Sequence, residues 1–330
     1  MFEPGYIAFA HSGELRKRIE AARGMLRRCR LCPRNCEVDR LKGERGFCQT
    51  GGHAIVSSFA PHFGEEDPLV GRGGSGTIFF ASCNLRCVFC QNYDISHLMD
   101  GREVQPRELA RMMLGLQRMG CHNINVVTPS HVAAQILEAL EFAIAEGLRV
   151  PLVYNTGGYD SLETLRLLDG VVDIYMPDLK CMDHDVARTY LNAEDYPDVA
   201  RAAIREMHRQ VGDLKVGQIA NLSNSSSPSH PSHLSHPAVA LRGLLVRHLV
   251  MPNSLAGTAE AMRFLADEIS RDTYVNVMAQ YRPCAFAYDH PPIARGITSD
   301  EYTAAVETSL RAGLHRLDSR VTARQVIRLL

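Results

Sequence analysis

Hydrophobic positions along the chain form short continuous runs that alternate with longer amphipathic stretches. Six apolar runs predict buried strands, at residues 76–81, 123–128, 150–154, 171–176, 244–250 and 274–279. Runs of this kind are typical of parallel strands that are buried on both faces. The amphipathic stretches predict helices at residues 107–119, 132–145, 162–168, 184–208, 258–269 and 299–312, with a break near Pro197.

This alternation indicates βαβ units and therefore an α/β fold. A partial barrel of six parallel strands and an open doubly wound sheet both fit the pattern, and periodicity does not separate them. Residues 11–28 predict a further, basic amphipathic helix. Residues 223–237 (SNSSSPSHPSHLSHP) are rich in Ser, Pro and His and have little to bury, so we expect a surface insertion at about 218–238. A histidine-rich tract can also bind metal, and His230, His233 and His236 recur at every third position.

Composition narrows the class of protein. The chain has 330 residues, 45% hydrophobic and 22% charged, with a formal net charge of −1. This balance gives no sign of the basic face that nucleic-acid binding requires. No stretch approaches the roughly 20 apolar residues that span a bilayer, and the first residues do not resemble a signal peptide. We therefore expect a cytoplasmic protein without a nucleic-acid or membrane partner.

The ten cysteines are the strongest chemical signal, because clustered cysteines in a cytoplasmic protein more often bind metal than form disulfides. Cys83, Cys87 and Cys90 have the spacing C-x3-C-x2-C and directly follow the first predicted strand. Soft thiolate ligands select iron–sulfur clusters, zinc or cuprous copper. Three cysteines leave one iron of a [4Fe–4S] cluster without a protein ligand, whereas electron-transfer clusters usually have four.

The motif CNLRCVFCQN at residues 83–92 resembles that of radical S-adenosylmethionine enzymes, with the aromatic Phe89 before the last cysteine. PDLK at 177–180 and LVRHLVMPN at 245–253 are similar to the branch that includes pyruvate formate-lyase activating enzyme, and CRLCPRNCEVDR at 29–40 is similar to uncharacterised members of it. The resemblance covers about residues 70–315.

This resemblance implies a partial (β/α)6 barrel of the TIM type and a [4Fe–4S] cluster whose open iron binds S-adenosylmethionine. It implies reductive cleavage to a 5′-deoxyadenosyl radical, which abstracts hydrogen from an unknown small-molecule or protein substrate. By analogy the substrate is a glycyl residue of a partner enzyme, and the electron donor a flavodoxin or ferredoxin. The alternative is a non-catalytic iron–sulfur or zinc protein that carries electrons or acts as a binding module.

One position departs from the wider family. Where many members have Gly-Gly-Glu after the second strand, this chain has Val127-Thr128-Pro129-Ser130-His131. Thr128 and Ser130 offer oxygens to the methionyl amine, but no carboxylate is present there. The rule that barrel active sites lie at the carboxyl ends of strands adds four residues, namely Asn155, Asp178, Lys180 and Arg247. Arg247 and His248 are adjacent on one strand, so only one of them can point into the barrel.

Four earlier cysteines form a second group, Cys29, Cys32, Cys36 and Cys48, with arginines around the first three. Four thiolates close a metal site, so we expect a structural metal or a second cluster. Zinc and [4Fe–4S] both fit, and spacing does not decide between them. We thus expect an N-terminal helix and Cys-rich metal-binding segment at 1–68, followed by a barrel at 69–330.

Overall fold

The computed structural model describes residues 2–218 and 238–319. The predicted insertion, with its three histidines, lies almost entirely outside these ranges. Within them, no helix is long and apolar enough to cross a membrane.

Six parallel strands form the centre of the molecule, one for each predicted apolar run. The strands of the described residues are β1 (Ala54–His62), β2 (Ser75–Phe80), β3 (Arg102–Val104), β4 (Ile124–Val127), β5 (Leu152–Thr156), β6 (Ile174–Pro177), β7 (Lys215–Gly217), β8 (Val239–Leu249) and β9 (Tyr274–Met278). The parallel pairs run β2-β4-β5-β6-β8-β9. This order follows the chain without the reversal that a doubly wound sheet requires, and it is consistent with a partial six-stranded barrel.

Helices occupy the connections between the parallel strands. Those of the described residues are α1 (Gly5–His11), α2 (Glu14–Met25), α3 (Asp67–Val70), α4 (Tyr93–Ser96), α5 (Pro106–Arg118), α6 (Ala133–Ala145), α7 (Leu162–Leu168), α8 (His184–Leu191), α9 (Tyr196–Val211), α10 (Thr258–Phe264) and α11 (Ser299–Arg311). The predicted break near Pro197 is confirmed, because α8 and α9 are separate helices. The predicted helix at 11–28 is observed as α2. This helix begins only after Gly13, because Gly13 adopts a left-handed conformation with φ of 76°.

Two antiparallel strands that the sequence pattern did not predict extend the sheet beyond β2. β1 pairs with β2, and β3 pairs with the other edge of β1. The N-terminal helices are joined to the barrel by the ion pairs of Arg16 with Glu141 and of Arg23 with Glu138. The division of the chain at residue 68 stays a prediction.

The interior of the barrel is apolar at the amino end of the strands and polar at the carboxyl end. Leu69 of α3 inserts against Val153, Met176 and Leu245 in a buried cluster. Because side chains of a strand alternate between its faces, Asn155 and Arg247 lie two residues further along the same inner faces. The segment around α3 therefore fills the lower interior, and the polar side chains stand at the opposite end.

Candidate active site

The loop that follows β2 carries the three cysteines of the C-x3-C-x2-C motif. Ser82 and Arg86 adopt left-handed conformations, with φ of 75° and 57°, so the loop folds back on itself. As a result Cys83, Cys87 and Cys90 line one cavity at the carboxyl ends of the strands. They are the only cysteines among the described residues that line it.

Two hydrogen bonds are donated to the sulfurs of this loop. The backbone N–H of Leu85 donates to Sγ of Cys83 at 3.3 Å, and the hydroxyl of Ser96 donates to Sγ of Cys90 at 3.1 Å. Burial raises the pKa values of the Cys83 and Cys87 thiols. A metal that coordinates a thiol deprotonates it. Soft donors with hydrogen bonds to sulfur fit an iron–sulfur cluster.

Four of the predicted residues meet on the wall of the same cavity, as a network of charges and amide groups. Nζ of Lys180 lies 2.6 Å from Oδ2 of Asp178, and Nε of Arg247 lies 2.8 Å from Oδ1 of the same carboxylate. Nη2 of Arg247 donates to Oδ1 of Asn155 at 2.8 Å. The side chains of the three charged residues are each less than one-fifth exposed. One carboxylate therefore fixes two buried cations at the mouth of the cavity.

Electrostatics keep these groups charged in spite of their burial. Burial alone would raise the pKa of Asp178, but Arg247 and Lys180 hold that pKa below its usual value. Burial alone would lower the pKa of Lys180, but the carboxylate of Asp178 holds it above its usual value. The ammonium of Lys180 is thus a positive charge close to Cys87.

Arg247 is the member of the Arg247–His248 pair that faces the cavity. His248 is buried on the opposite face, where Nδ1 lies 2.7 Å from the carbonyl of Leu179 and Nε2 lies 2.9 Å from Oγ1 of Thr258. Burial lowers the pKa of His248 to about 4, so the ring is neutral. His248 therefore packs in the protein core.

The structure separates the two hydroxyls that were predicted near the methionyl amine. Thr128 lines the cavity in a left-handed conformation with φ of 60°. Ser130 is not among the lining residues; its hydroxyl lies 3.0 Å from that of Thr156, which does line the cavity. The role of Ser130 as a direct ligand therefore stays a prediction. In the structure its hydroxyl contacts Thr156, a residue of the cavity wall.

Three buried carboxylates that were not predicted from the sequence support this site. Asp160 accepts from Thr156 at 2.6 Å, and burial raises the pKa of its carboxyl. Glu65 lies 3.9 Å from Nη1 of Arg247, while Glu66 accepts from Asn276 at 2.7 Å. Two features of the sequence could have pointed to these carboxylates. Asp160 closely follows the Gly157-Gly158 turn, and Glu65 and Glu66 form an acidic pair in the connection before β2.

A second space adjoins the first and opens at the surface. The first, inner cavity and the second, outer one share Cys87, Cys90, Asn92, Asp178, Lys180 and Arg247. The outer space adds the apolar side chains of Phe89, Leu249 and Met278. The arrangement can hold a ligand against the cysteines and admit a second molecule from outside.

The four N-terminal cysteines also come together, in a separate pocket. Cys29, Cys32, Cys36 and Cys48 all line it, with Arg34 and Arg40. The identity of any metal there stays a prediction.

The sequence of the chain is similar to one protein-family model and to two uncharacterized proteins. Residues 77–220 match the model of the Radical SAM superfamily. The uncharacterized protein MJ0674 of Methanocaldococcus jannaschii is 30% identical over 306 residues, covering 90% of this chain and 78% of that protein. The uncharacterized protein MJ0808 of the same organism is 27% identical over 54% of this chain and 53% of its own length.

Among solved structures, the cobalamin-dependent S-adenosylmethionine radical enzyme OxsB with aqua-cobalamin bound aligns with a TM-score of 0.38 and 12% identity. The alignment covers 72% of this chain and 31% of OxsB. On the sequence matches, the chain belongs to the radical S-adenosylmethionine superfamily.

Proposed function

We propose that this protein is a radical S-adenosylmethionine enzyme of the pyruvate formate-lyase activating branch, acting on a glycyl residue of a partner protein. One observation carries the proposal: three cysteines, two fixed cations and the strand-end amide of Asn155 line a single cavity that opens at the surface. An electron carrier would instead need a fourth ligand to close its cluster. The described lining has no fourth cysteine.

Cys83, Cys87 and Cys90 would hold the [4Fe–4S] cluster. When bound, the cluster and S-adenosylmethionine supply the electron and the C–S bond whose cleavage yields a 5′-deoxyadenosyl radical. The N–H of Leu85 and the hydroxyl of Ser96 are directed at the sulfurs and stabilise their negative charge. The protein's part is to bind, orient and exclude water.

The cation network is suited to orient a zwitterionic methionyl group. Arg247 and Lys180 are held in place by Asp178, so a carboxylate would meet side chains that have already lost their rotational freedom. Asn155 and Thr156 add an amide and a hydroxyl at the same strand end. Asp160 positions the Thr156 hydroxyl by accepting its hydrogen bond, and so supplies a carboxylate close to the strand ends.

Apolar side chains protect the space in which a radical would form. Phe79 and Leu85 line the inner cavity, and Phe89, Leu249 and Met278 line the outer one. Phe89 also packs edge-on against Tyr281, with ring centroids 5.9 Å apart. These residues exclude water from the route between the cysteines and the incoming substrate.

A group of exposed apolar and aromatic side chains beside the cluster loop favours a protein substrate. This rim patch comprises the rings of Tyr93, His97 and Phe286, which pack against one another, with Leu98 next to His97 in the chain and Tyr288 on the same short helix as Phe286. Leu98, Phe286 and Tyr288 are 61%, 45% and 67% exposed. Phe286 is tied to the cluster loop because its N–H donates to the carbonyl of Val88 at 2.9 Å. Exposed apolar patches mark interaction sites, and this one stands beside the outer cavity.

The test uses pyruvate formate-lyase as the partner. The reconstituted protein, reduced and supplied with S-adenosylmethionine, is expected to generate a glycyl-radical signal in electron paramagnetic resonance. Replacing both Phe286 and Tyr288 by serine should lower the yield of that signal at least several-fold, since the apolar contact with the partner is lost.

The matched control is Met119→Ser, which removes an apolar side chain that is 60% exposed at the end of α5 and should leave the radical yield unchanged. Formation of 5′-deoxyadenosine without any radical on the partner would refute the glycyl substrate while leaving the cleavage reaction intact.

A further inference from the structure

The pocket of the four N-terminal cysteines contains a buried positive charge without a counter-ion. Arg40 is 1% exposed, and its Nη1 lies 3.8 Å from Sγ of Cys29. Nε donates to the carbonyl of Gly51 at 3.0 Å, and Nη1 donates to that of His131 at 2.8 Å. Within residues 2–218 and 238–319, Nη2 has no hydrogen-bond partner and Arg40 forms no ion pair with a carboxylate.

An isolated buried cation is strongly destabilising unless an anion neutralises it. Neutral thiols cannot do so, but thiolates bound to a metal carry net negative charge. Arg34 adds a second guanidinium to the same pocket, and its Nη2 is also buried without a partner in the described part of the chain. The electrostatics of the pocket therefore require an anionic centre among Cys29, Cys32, Cys36 and Cys48.

The arrangement of the sulfurs favours a cluster over a zinc ion. Zinc binds thiolates at about 2.3 Å, so four of them on one ion stand about 4 Å apart. Within the described ranges, no group of three or more histidine, cysteine or acidic side chains is arranged to hold a single metal ion. The same is true of Cys83, Cys87 and Cys90, which carry the superfamily's cluster motif. In a cluster each cysteine binds a different iron, which requires wider spacing.

A backbone group of this pocket donates to a cysteine sulfur, as one does in the catalytic loop. The N–H of Phe47 donates to Sγ of Cys36 at 3.4 Å, as the N–H of Leu85 does to Cys83 in the catalytic loop. Gly46 packs so closely that an added Cβ would lie 2.7 Å from Sγ of Cys36. Hydrogen bonds to sulfur set the potential of a cluster.

The pocket is bonded directly to the catalytic loop. The hydroxyl of Ser82 donates to the carbonyl of Cys48, and Nε of Arg34 donates to the carbonyl of Asn84 at 2.7 Å. Ser82 and Asn84 are the two neighbours of Cys83. We infer that the four N-terminal cysteines hold a second [4Fe–4S] cluster, neutralised by Arg40 and joined to the catalytic site through the residues that flank Cys83.

The test does not depend on the proposed function, because it uses a protein that lacks the catalytic cysteines. The full-length C83A/C87A/C90A variant, reconstituted anaerobically with iron and sulfide, should keep roughly half of the iron of the wild-type protein. It should contain acid-labile sulfide in equal amount and show a cluster signal in electron paramagnetic resonance after reduction with dithionite. Zinc in place of iron, or no more iron than in a variant lacking all seven cysteines, would overturn the inference.

Three further variants in the same background test the pocket itself. Gly46→Ala should displace Cys36 and remove the remaining iron, while Gly51→Ala, which has open space around its added Cβ, should keep it. Arg40→Gln should lower the reduction potential of the remaining cluster, since a nearby positive charge favours the reduced form. Circular dichroism checks that each variant is folded. Loss of iron equally in both glycine variants, or an unchanged potential in Arg40→Gln, would contradict the proposed centre.

Discussion

Replacing Cys87 by alanine is expected to remove the iron of the catalytic cluster and to reduce cleavage of S-adenosylmethionine to background. Cys87 is buried at the meeting point of the inner and outer cavities, beside the ammonium of Lys180. With two thiolates left, the loop cannot hold a cubane cluster that needs three protein ligands. Iron and sulfide per chain, and 5′-deoxyadenosine per chain, measure the effect.

Cys121→Ala is the matched control for this loss. Cys121 is also fully buried, but its thiol contacts the carbonyl of Gly73 at 3.6 Å, away from both cysteine pockets. The control removes the same chemical group and should keep the iron and the activity of the wild-type protein. If Cys87→Ala retained both as well, the cysteine loop would not be the cluster site.

Replacing Asp178 by asparagine is expected to lower the free energy of unfolding on the order of 3 kcal/mol, because it leaves two cations without their shared carboxylate. Lys180 and Arg247 both contact this group, at 2.6 and 2.8 Å. The same change should weaken binding of S-adenosylmethionine, since neither cation is then fixed in place. Urea denaturation measures the first effect, and equilibrium binding to the reconstituted protein measures the second.

Asp185→Asn provides the comparison at the surface. Asp185 pairs with Arg188 at 2.5 Å, but its side chain is 80% exposed, so removing its charge should change stability by about 0.5 kcal/mol or less. Equal effects of the two substitutions would show that the Asp178 network does not carry the buried charge assigned to it.

The six parallel strands could be predicted because each is buried on both faces and is therefore a continuous apolar run. β1 and β3 lack that signal, since β1 is exposed along much of its second half and contains Pro61, and β3 has three residues. Their place in the sheet depends on the pairing of β1 with β2 and of β3 with β1, which the local sequence pattern does not record. The order of the strands likewise required the structure.

Candidate site residues could be named where chemistry and position coincide. Asn155, Asp178, Lys180 and Arg247 lie at or just past the carboxyl ends of strands, so the strand-end rule selected them, and all four line one cavity. Their functional roles stay predictions. Asp160, Glu65 and Arg40 were missed because turn and loop residues reach their partners through folding alone. Arg40 donates hydrogen bonds to the carbonyls of Gly51 and His131, and His131 lies 91 positions from Arg40 in the sequence.

The most direct test of the central claim is the product of cofactor cleavage. The protein is reconstituted anaerobically, reduced with dithionite and incubated with S-adenosylmethionine, and 5′-deoxyadenosine is quantified by liquid chromatography and mass spectrometry. We predict that the product forms only when iron–sulfur cluster, reductant and S-adenosylmethionine are all present. A protein with its full cluster content that forms no 5′-deoxyadenosine would contradict the assignment as a radical enzyme.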